Sequence, residues 1–382
     1  MNLLLTFTTN TSLKEWNRGG IFDREILIYK ELAKRGIDVT FLTYGNKTDL
    51  EFSNKLEKIN VHPINTKRGL NKRSFLNIVL YPFFHFKFFK RFDLIKTNQM
   101  DGSWITWFLK VLFRKKLIIR CGFAEYKTKL TYFKNKSKTL NSFFEKFFAF
   151  VIEWISYRIA DYIIMTNHYE KDFIINNFKI KPEKIGVLPN YIDINLFRPI
   201  HTKKKDKTIL YVGNLNHHKN LDNLIESFTY LNDFKLDIIG WGELKAYLNK
   251  KIKKLKLDSK IRFLGVIPNS KLPDIINQYN IFILPSFTEG NPKTLLEAMS
   301  CGLACIGSNI RGINQIIKHR VNGFLCNLDS KSIANAIKEV YQDPVLREKI
   351  GKNGRQYIVK NCSLDTIVEK EWKIYKSILT LD

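Results

Sequence analysis

Short apolar runs alternate along the chain with stretches in which apolar residues recur every three or four positions. Such runs predict buried strands, and the 3.6-residue spacing predicts helices that cover them. The chain opens with a predicted strand at 3–8, a polar loop at 10–20 and a helix at 21–35 that Gly36 stops, followed by a strand at 39–43. This alternation indicates an α/β fold built on parallel sheets.

The same alternation starts again in the second half, so we predict two doubly wound domains of similar size. Further strands are predicted at 94–97, 117–120, 162–166, 185–188, 208–213, 235–240, 261–264, 281–285 and 304–308. The predicted N-terminal domain spans 1–197, an exposed linker spans 198–207, and the C-terminal domain spans 208–362. The last helix, 363–382, either completes the second domain or packs back on the first.

Charge is spread unevenly over the 382 residues, which carry a formal net charge of +27. Residues 61–138 hold 18 Lys or Arg and 3 Asp or Glu, and several aromatic residues lie among them. This combination suits contact with an anionic membrane surface. The alternative is that the aromatic residues are core and the lysines reflect a lysine-rich composition. No recognition motif accompanies the charge, so the sequence argues against nucleic acid as a partner.

Two further features bear on the compartment. The opening MNLLLTFTTN lacks a basic start and a cleavage site, and therefore predicts a buried strand and not a signal peptide. The five cysteines include no CxxC pair, so we expect small buried side chains in a reducing, cytoplasmic setting. No spacing typical of metal ligands is present, and no metal or cofactor is expected.

Candidate chemistry begins in the loop after the strand predicted at 208–213. Gly213 ends this strand and allows the backbone to turn closely beneath a ligand. Lys219 lies where the next helix begins, and the N–H groups of a helix start favour an anion. A diphosphate would gain a cation there. The alternative is that Lys219 is one solvated lysine among many.

A second loop follows the strand predicted at 281–285. Glu289 lies in it, Pro292 opens a helix, and Glu297 follows eight residues after Glu289. Carboxylates suit sugar and ribose hydroxyls, because each oxygen accepts hydrogen bonds with charge assistance. The N–H groups that can face a sugar or phosphate oxygen are those of Gly290, Asn291, Lys293 and Thr294. The alternative is that Glu289 caps the helix and Glu297 is a solvated helix residue.

Through these and neighbouring segments, the sequence resembles the family 4 retaining glycosyltransferases. The specific segments are VLPNYID at 187–193 and the two-glutamate segment at 283–302, and the resemblance also includes residues 18–45, 208–220 and VNGFLC at 321–326. It implies the GT-B fold, in which two Rossmann-like, doubly wound parallel-sheet domains face a central cleft. It further implies an acceptor-binding N-terminal domain and a C-terminal domain that binds a nucleotide sugar.

The resemblance also implies roles for single residues. Lys219 would bind the diphosphate of the donor, Glu289 the transferred sugar, and Glu297 the ribose. Glu289 and Lys219 would be the catalytic residues. The other implied donor contacts are Gly19, Gly20, Gly213, Asn214, Arg262, Gly290, Asn291, Pro292, Lys293 and Thr294.

Two departures from the family pattern concern charge and the acceptor side. Asn214 stands where the family has an arginine, so either another basic residue acts with Lys219, for which His217, His218 and Arg311 are the candidates, or the diphosphate is bound differently. Asn98, Gln99 and Asp101 stand where the family has a histidine after the strand at 94–97. These three are therefore the candidates on the acceptor side.

The implied reaction is hexosyl transfer from a nucleotide-diphosphate sugar to a glycan or lipid-linked acceptor in surface polysaccharide or lipopolysaccharide synthesis. Lys219 and helix N–H groups would offset the charge of the leaving diphosphate without a metal. The implied place of action is the inner face of the cytoplasmic membrane. Two alternatives remain open: a sugar-nucleotide epimerase of the same fold, and a non-catalytic carbohydrate- or nucleotide-binding protein.

Overall fold

A computed structural model of the chain describes residues 1–64, 80–134 and 140–380, apart from the side chains of 128, 131–134 and 140–142. The chain divides into two compact units. The first comprises Met1–Leu188 with Val368–Asp382, and the second comprises Pro189–Ile367. The division thus precedes the exposed segment 198–207, whose Lys204 and Lys205 side chains bond to groups of the second unit.

The first unit is built on a parallel sheet with strand order β3-β2-β1-β4-β5-β6-β7. Its strands are β1 (Asn2–Thr6), β2 (Asp38–Thr43), β3 (Ile59–Pro63), β4 (Leu94–Thr97), β5 (Lys116–Cys121), β6 (Tyr162–Met165) and β7 (Ile185–Val187). Leu3, Leu4 and Leu5 of β1 are all fully buried. Consecutive side chains point to opposite faces of a sheet, so both faces of this sheet are covered.

Helices cover this sheet, and short 3-10 helices lie at Lys47–Phe52 and Pro182–Lys184. The helices of the first unit are α1 (Leu13–Arg18), α2 (Phe22–Lys34), α3 (Ser53–Leu56), α4 (Phe86–Lys90), α5 (Trp104–Phe113), α6 (Glu125–Lys134), α7 (Leu140–Ile159) and α8 (His168–Phe178). In the part of the chain that the structure describes, none of the helices combines the length and the hydrophobicity that crossing a bilayer requires.

The second unit repeats the plan with strand order β10-β9-β8-β11-β12-β13, again parallel. Its strands are β8 (Thr208–Val212), β9 (Lys235–Ile239), β10 (Ile261–Gly265), β11 (Ile281–Leu284), β12 (Ala304–Ser308) and β13 (Phe324–Cys326). In both sheets the strand order reverses beside the first strand of the unit, and ligands bind at such switch points outside the carboxyl ends of the strands.

The helices of the second unit are α9 (Leu221–Ser227), α10 (Lys245–Lys254), α11 (Leu272–Ile276), α12 (Lys293–Ser300), α13 (Ser330–Gln342) and α14 (Pro344–Cys362). Short 3-10 helices lie at His217–Lys219, Phe228–Tyr230 and Asn269–Lys271. The last helix, α15 (Leu364–Leu379), begins in the second unit and is grouped with the first from Val368 onward.

The two-sheet α/β architecture confirms the predicted fold class, while one local prediction is wrong. The predicted loop at 10–20 contains helix α1. Ser12 Oγ accepts a hydrogen bond from Glu15 N, and Ser12 N donates one to the Glu15 carboxylate, so a capping box starts the helix. The buried Leu13 and Trp16 then hold it against the core.

Two observations concern the other expectations. All five cysteines are buried, as their predicted role as small apolar side chains requires. The basic stretch at 61–138 is described only in part, because residues 65–79 and 135–139 lie outside the described residues.

Candidate active site

The candidate site lies at the carboxyl ends of the strands in the second unit, where glycines let loops approach closely. Gly240, after β9, has φ +142°, and a Cβ there would lie 1.9 Å from the carbonyl oxygen of Gly213. A Cβ on Gly242 would lie 2.3 Å from the carbonyl oxygen of Leu215. These contacts leave no room for side chains, so glycine fixes the path of the loop beneath the candidate site.

Lys219 and Glu289 meet at this edge of the sheet. Lys219 Nζ lies 2.5 Å from Glu289 Oε1, although the two residues are 70 positions apart. Only 19% of the Lys219 side chain and 10% of the Glu289 side chain are accessible to solvent. The ion pair is therefore partly shielded from water, where electrostatic interactions are stronger than at an open surface.

Backbone and side-chain bonds hold the two loops together. Phe287 N donates to the carbonyl oxygen of His218 at 2.8 Å. The amide of Asn220 donates to the carbonyl oxygens of Pro285 at 3.1 Å and Leu328 at 2.8 Å. Asn220 itself has φ +54°, a conformation that asparagine tolerates better than most residues. Three loops are thus fixed around the Lys219–Glu289 pair.

Glu289 has further contacts on both sides. Ser286, which is fully buried, donates from Oγ to Glu289 Oε1 at 2.7 Å. A Cβ on Gly312, after β12, would lie 1.9 Å from the carbonyl oxygen of Glu289. The neighbouring Arg311 is exposed. Arg311, one of the three candidates for a second cation, therefore neighbours Gly312, which packs against the backbone of Glu289.

The start of α12 is fixed from a distant part of the unit. Asn190 N donates to Asn291 Oδ1 at 2.7 Å, and Asn190 Nδ2 donates to the carbonyl oxygen of Asn291 at 2.6 Å. Pro292 precedes the helix and has no side-chain acceptor with which to cap it. The first turn, which includes Thr294, therefore presents N–H donors suited to an oxyanion.

Glu297 lies on the buried side of α12. Its side chain is fully buried, and Oε1 accepts from Nδ2 of Asn269 at 2.9 Å. Asn269 follows β10, so Glu297 connects α12 to a loop two strands beyond the loop of Lys219. The structure thus brings Lys219 and Glu289 into direct contact and gives Glu297 a separate, buried amide partner. The alternative of a solvated Glu297 does not hold.

Arg262 has a different setting from the predicted one. Its Nε and Nη2 donate to the two carboxylate oxygens of Asp237 at 2.9 and 2.8 Å. Tyr279, which precedes β11, and Lys205, which precedes β8, also donate to this carboxylate. Burial alone would raise the pKa of Asp237, but these hydrogen bonds and charges hold it below its ordinary value. Partners that precede strands indicate the amino-terminal side of the sheet, so we leave Arg262 out of the donor site.

Asn214 is exposed next to Gly213. Its carbonyl oxygen accepts from the hydroxyl of Tyr211 at 2.9 Å, which fixes the backbone and leaves the side chain out of that contact. Burial, with the negative charge of Glu289, raises the pKa of Tyr211 well above its ordinary value. Tyr211 therefore acts as a neutral hydrogen-bond donor beneath the loop.

The predicted residues of the N-terminal domain lie in the first unit. Gly19 and Gly20 join α1 to α2, and Gly20 has φ +67°. The acceptor-side candidates Asn98, Gln99 and Asp101 follow β4 at the carboxyl edge of the first sheet. Gln99 Oε1 accepts from the backbone N–H of Gly122, which follows the neighbouring strand β5.

Sequence reasoning did not identify three partners of the site residues: Ser286, Asn190 and Asn269. Ser286 and Asn190 lie inside the segments LPSFTEG and VLPNYID, so a local signal was present for both. Asn269 follows an ordinary strand, and nothing in its surroundings distinguishes it from other loop asparagines.

Comparison with known families gives two matches. The family model described as "Glycosyl transferases group 1" matches residues 193–357. The model described as "Glycosyltransferase Family 4" matches residues 26–196. The two matches overlap at residues 193–196, and together they run from α2 in the first unit to residue 357 in α14 of the second unit.

Similar curated proteins include transferases that act on lipid-linked acceptors. The chain is 32% identical over 232 residues to the UDP-Gal:alpha-D-GlcNAc-diphosphoundecaprenol alpha-1,3-galactosyltransferase of Escherichia coli, covering 56% of this chain and 59% of the relative. It is 30% identical to a 4-alpha-N-acetylgalactosaminyltransferase of Campylobacter jejuni named for a diphospho-undecaprenol substrate, covering 57% and 59%. The chain thus spans about three fifths of these relatives. An uncharacterized glycosyltransferase of Haemophilus influenzae is 26% identical over 93% of this chain and 95% of its own.

Similar solved structures show the fold over the whole chain. Sucrose-phosphate synthase from Thermosynechococcus elongatus superimposes with a TM-score of 0.82 at 18% identity, covering 100% of both chains. Anabaena HepE in complex with UDP gives a TM-score of 0.77 at 16% identity, covering 99% of this chain and 100% of HepE. These likenesses, with the two parallel sheets, show the GT-B type of fold.

Proposed function

This chain belongs to the group 1, family 4 type glycosyltransferases, and we propose that it transfers a hexose from a nucleotide-diphosphate sugar to a glycan or lipid-linked acceptor. The proposed transfer retains the anomeric configuration and needs no metal ion. The proposed setting is the synthesis of a bacterial-type surface polysaccharide or lipopolysaccharide. Relatives that act on diphosphoundecaprenol-linked sugars, and a neighbour in complex with UDP, support this choice of donor and acceptor.

The observation that carries the proposal is the Lys219–Glu289 pair at the carboxyl edge of the second sheet. An ammonium group held 2.5 Å from a carboxylate, beside the start of α12, offers one group for a phosphate and one for a sugar hydroxyl. On donor binding, the diphosphate would share or take the ammonium, and Glu289 would turn to the hydroxyls of the sugar. Arg311 is the proposed second cation in place of the arginine that Asn214 replaces.

The remaining donor contacts follow from the same loops. Gly213, Asn214, Gly290, Asn291, Pro292, Lys293 and Thr294 are proposed as backbone and side-chain contacts of the sugar and diphosphate. Glu297, oriented by Asn269, is proposed for the ribose. Gly19 and Gly20 stay predicted donor contacts, and Asn98, Gln99 and Asp101 stay predicted acceptor contacts.

The proposed chemistry needs no protein nucleophile. The acceptor hydroxyl attacks the anomeric carbon from the face that the diphosphate leaves. The bond from that carbon to the phosphate oxygen breaks, a bond to the acceptor oxygen forms, and the proton passes from the acceptor hydroxyl to the departing diphosphate. Lys219 and the N–H groups of α12 stabilise the charge that develops on this leaving group.

We also propose that the enzyme works in the cytoplasm, at the inner face of the cytoplasmic membrane. The excess of Lys and Arg in residues 61–138 supports contact with anionic headgroups, and Lys87, Lys90, Arg91 and Arg114 of this stretch are exposed. A lipid-linked acceptor would be presented at that surface.

The test combines nucleotide binding with transfer. Thermal-shift screening with UDP, GDP, ADP, CMP and their sugars identifies the donor, because a bound ligand stabilises the folded state. Lys219→Ala should then weaken binding of that nucleoside diphosphate about tenfold or more, since it removes a charged hydrogen-bond donor. Glu289→Gln should lower kcat about 100-fold with a smaller effect on nucleotide binding.

Lys207→Ala is a matched control, because Lys207 is a half-buried lysine of the same unit that pairs with Asp233. It should leave binding and transfer unchanged. The proposal is wrong if Lys219→Ala binds the nucleotide as the parent does. Conversion of the nucleotide sugar without any acceptor would indicate an epimerase instead, and binding without turnover would indicate a non-catalytic protein.

A further inference from the structure

Helix α7 carries exposed aromatic residues that the proposed site does not explain. Phe143, Phe144, Phe147 and Phe148 are 62%, 46%, 52% and 60% exposed. Residues at spacings of three and four lie on one side of a helix, so the four rings share one side of α7. The rings of Phe143 and Phe147 stack with their centroids 6.4 Å apart. Monomeric soluble proteins rarely expose a contiguous group of large apolar side chains.

The second half of the same helix is packed into the protein. Ala149, Glu153, Ser156 and Tyr157 are buried, and the ring of Phe150 lies 5.2 Å from that of Phe178. The first unit therefore anchors α7 through its second half and leaves the 143–148 face uncovered.

The uncovered face lies beyond the carboxyl edge of the first sheet. Helix α6 follows β5 at that edge and packs along α7, with Lys129 Nζ 3.2 Å from a carboxylate oxygen of Glu145. The backbone N–H groups at the start of α6 bond to Glu153, which places Glu153 at the edge. Phe143 to Phe148 are five to ten residues before Glu153, about 8–15 Å farther out along the helix.

Charge distinguishes between two occupants of this face. A second copy of a chain with a formal net charge of +27 would be repelled. An anionic lipid surface would be attracted, especially by residues 61–138, where Lys and Arg outnumber Asp and Glu by 18 to 3. Phenylalanine can enter the boundary between headgroups and acyl chains while neighbouring lysines stay at the headgroups.

We propose that Phe143, Phe144, Phe147 and Phe148 enter the interface of an anionic phospholipid bilayer. This contact holds the carboxyl edge of the first sheet, with its candidate acceptor residues Asn98, Gln99 and Asp101, against the membrane. The inference rests on the proposed function in that a lipid-linked acceptor gives the contact its purpose. The inference goes beyond the proposed function because it assigns membrane attachment to the exposed face of α7, outside the basic stretch at 61–138.

The experiment is vesicle flotation of the full chain, with vesicles of phosphatidylcholine alone and with added phosphatidylglycerol. The test variant carries Phe143→Ser, Phe144→Ser, Phe147→Ser and Phe148→Ser. The control variant carries four substitutions at exposed apolar residues of the second unit: Tyr230→Ser, Tyr247→Ser, Val345→Ser and Val359→Ser. We expect the parent and the control to float with anionic vesicles, and the test variant to lose about tenfold or more in partitioning.

Three results would overturn the inference. The test variant could float as well as the parent, or the parent could fail to bind anionic vesicles at low salt. Alternatively, the test variant could change from dimer to monomer with unchanged flotation, which would make the face a contact between copies. Nucleotide thermal shifts on the same proteins separate this inference from the proposed function: flotation that depends on the phenylalanines stands even if no nucleotide binds.

Discussion

Asn190 connects the segment VLPNYID to the loop that carries Glu289. Its backbone N–H and its side-chain amide bond to the side chain and the carbonyl oxygen of Asn291, respectively. Asn291 lies two residues after Glu289, just before α12. These two bonds therefore restrict the backbone from which Glu289 and the first turn of α12 reach a ligand. Asn190 is a positioning residue, because it acts through this loop.

Asn190→Ala should raise the KM for the donor about tenfold, because one hydrogen bond that fixes the loop is lost. Asn190→Asp keeps the size but removes the N–H donor, so it should resemble the alanine variant. Steady-state kinetics with varied donor and varied acceptor check the effect, and the KM for the acceptor should change little. Asn361→Ala is the control, since Asn361 makes a comparable side-chain bond within α14. Parent-like donor kinetics in Asn190→Asp would contradict this role.

Helix α6 begins at a buried carboxylate supplied by another helix. The backbone N–H groups of Glu125 and Tyr126 donate to Glu153 Oε1, and Glu153 is fully buried in α7. Burial raises the pKa of Glu153 to about 8, although the two N–H groups act in the opposite direction. Glu153 thus holds a proton at neutral pH in the folded protein and would lose it in the unfolded chain.

This difference makes stability depend on pH. An unfolded glutamic acid has a pKa of about 4.3, so from about pH 4 to about pH 8 the folded state binds the additional proton. The stability that this bound proton contributes is complete below about pH 4 and is lost as pH rises to about 8, on the order of 5 kcal/mol. Glu153→Gln cannot ionise, so its free energy of unfolding should fall less over that range.

Urea unfolding at pH 5, 6.5 and 8 measures the effect, and Glu145→Gln serves as the control. Glu145 lies on the same helix and is exposed, so its substitution should leave the pH slope of the parent. An identical slope in the parent and in Glu153→Gln would show that Glu153 is not the group responsible.

Elements with strong burial could be predicted from the sequence, while marginal ones could not. The predicted strands 94–97 and 304–308 coincide with β4 and β12, since both are continuously buried. The edge strand β3 and the three-residue β13 were not predicted. In β3 only Ile59 is buried, so the apolar run that identifies a strand is absent, and pairing with β2 supplies what the local sequence lacks.

The candidate site, too, could be predicted from the sequence only in part. Lys219 and Glu289 could be identified because each stands in a short segment where a strand passes into a helix. The hydrogen bonds that hold the surrounding loops could not be predicted, because their partners are far apart in the sequence. Asn190 and Asn291 are 101 positions apart, and Asn269 and Glu297 are 28 positions apart. Arg262 shows the converse: the family resemblance implied a donor contact, whereas its side chain pairs with Asp237 on the neighbouring strand.

At the scale of the whole molecule, the last helix belongs to the first unit from Val368 onward and contacts strand β4. Lys96 lies in β4, and Glu371 lies 275 residues later in α15, yet their side chains pair and both are fully buried. The hydroxyl of Tyr375 also donates to Glu371. Burial lowers the pKa of Lys96, and the charge of Glu371 opposes that shift. A buried charge without its partner is costly, so this pair makes the first unit depend on residues 368–379.

Replacing one partner should therefore destabilise the protein far more than replacing both. Lys96→Met leaves the Glu371 carboxylate buried without its cation, and we expect a loss of about 3–5 kcal/mol in the free energy of unfolding. The double variant Lys96→Met, Glu371→Leu should recover most of that loss, because two apolar side chains of similar size pack where the ions were. Urea unfolding of the full chain measures the three proteins. Arg35→Met is the matched control, since Arg35 pairs with Glu369 on the same helix, but the two side chains are 33% and 46% accessible to water, and such surface ion pairs contribute little. If Lys96→Met unfolded at the same urea midpoint as the parent, the last helix would be attached by its apolar contacts alone. The buried pair would then have no part in holding this helix to β4.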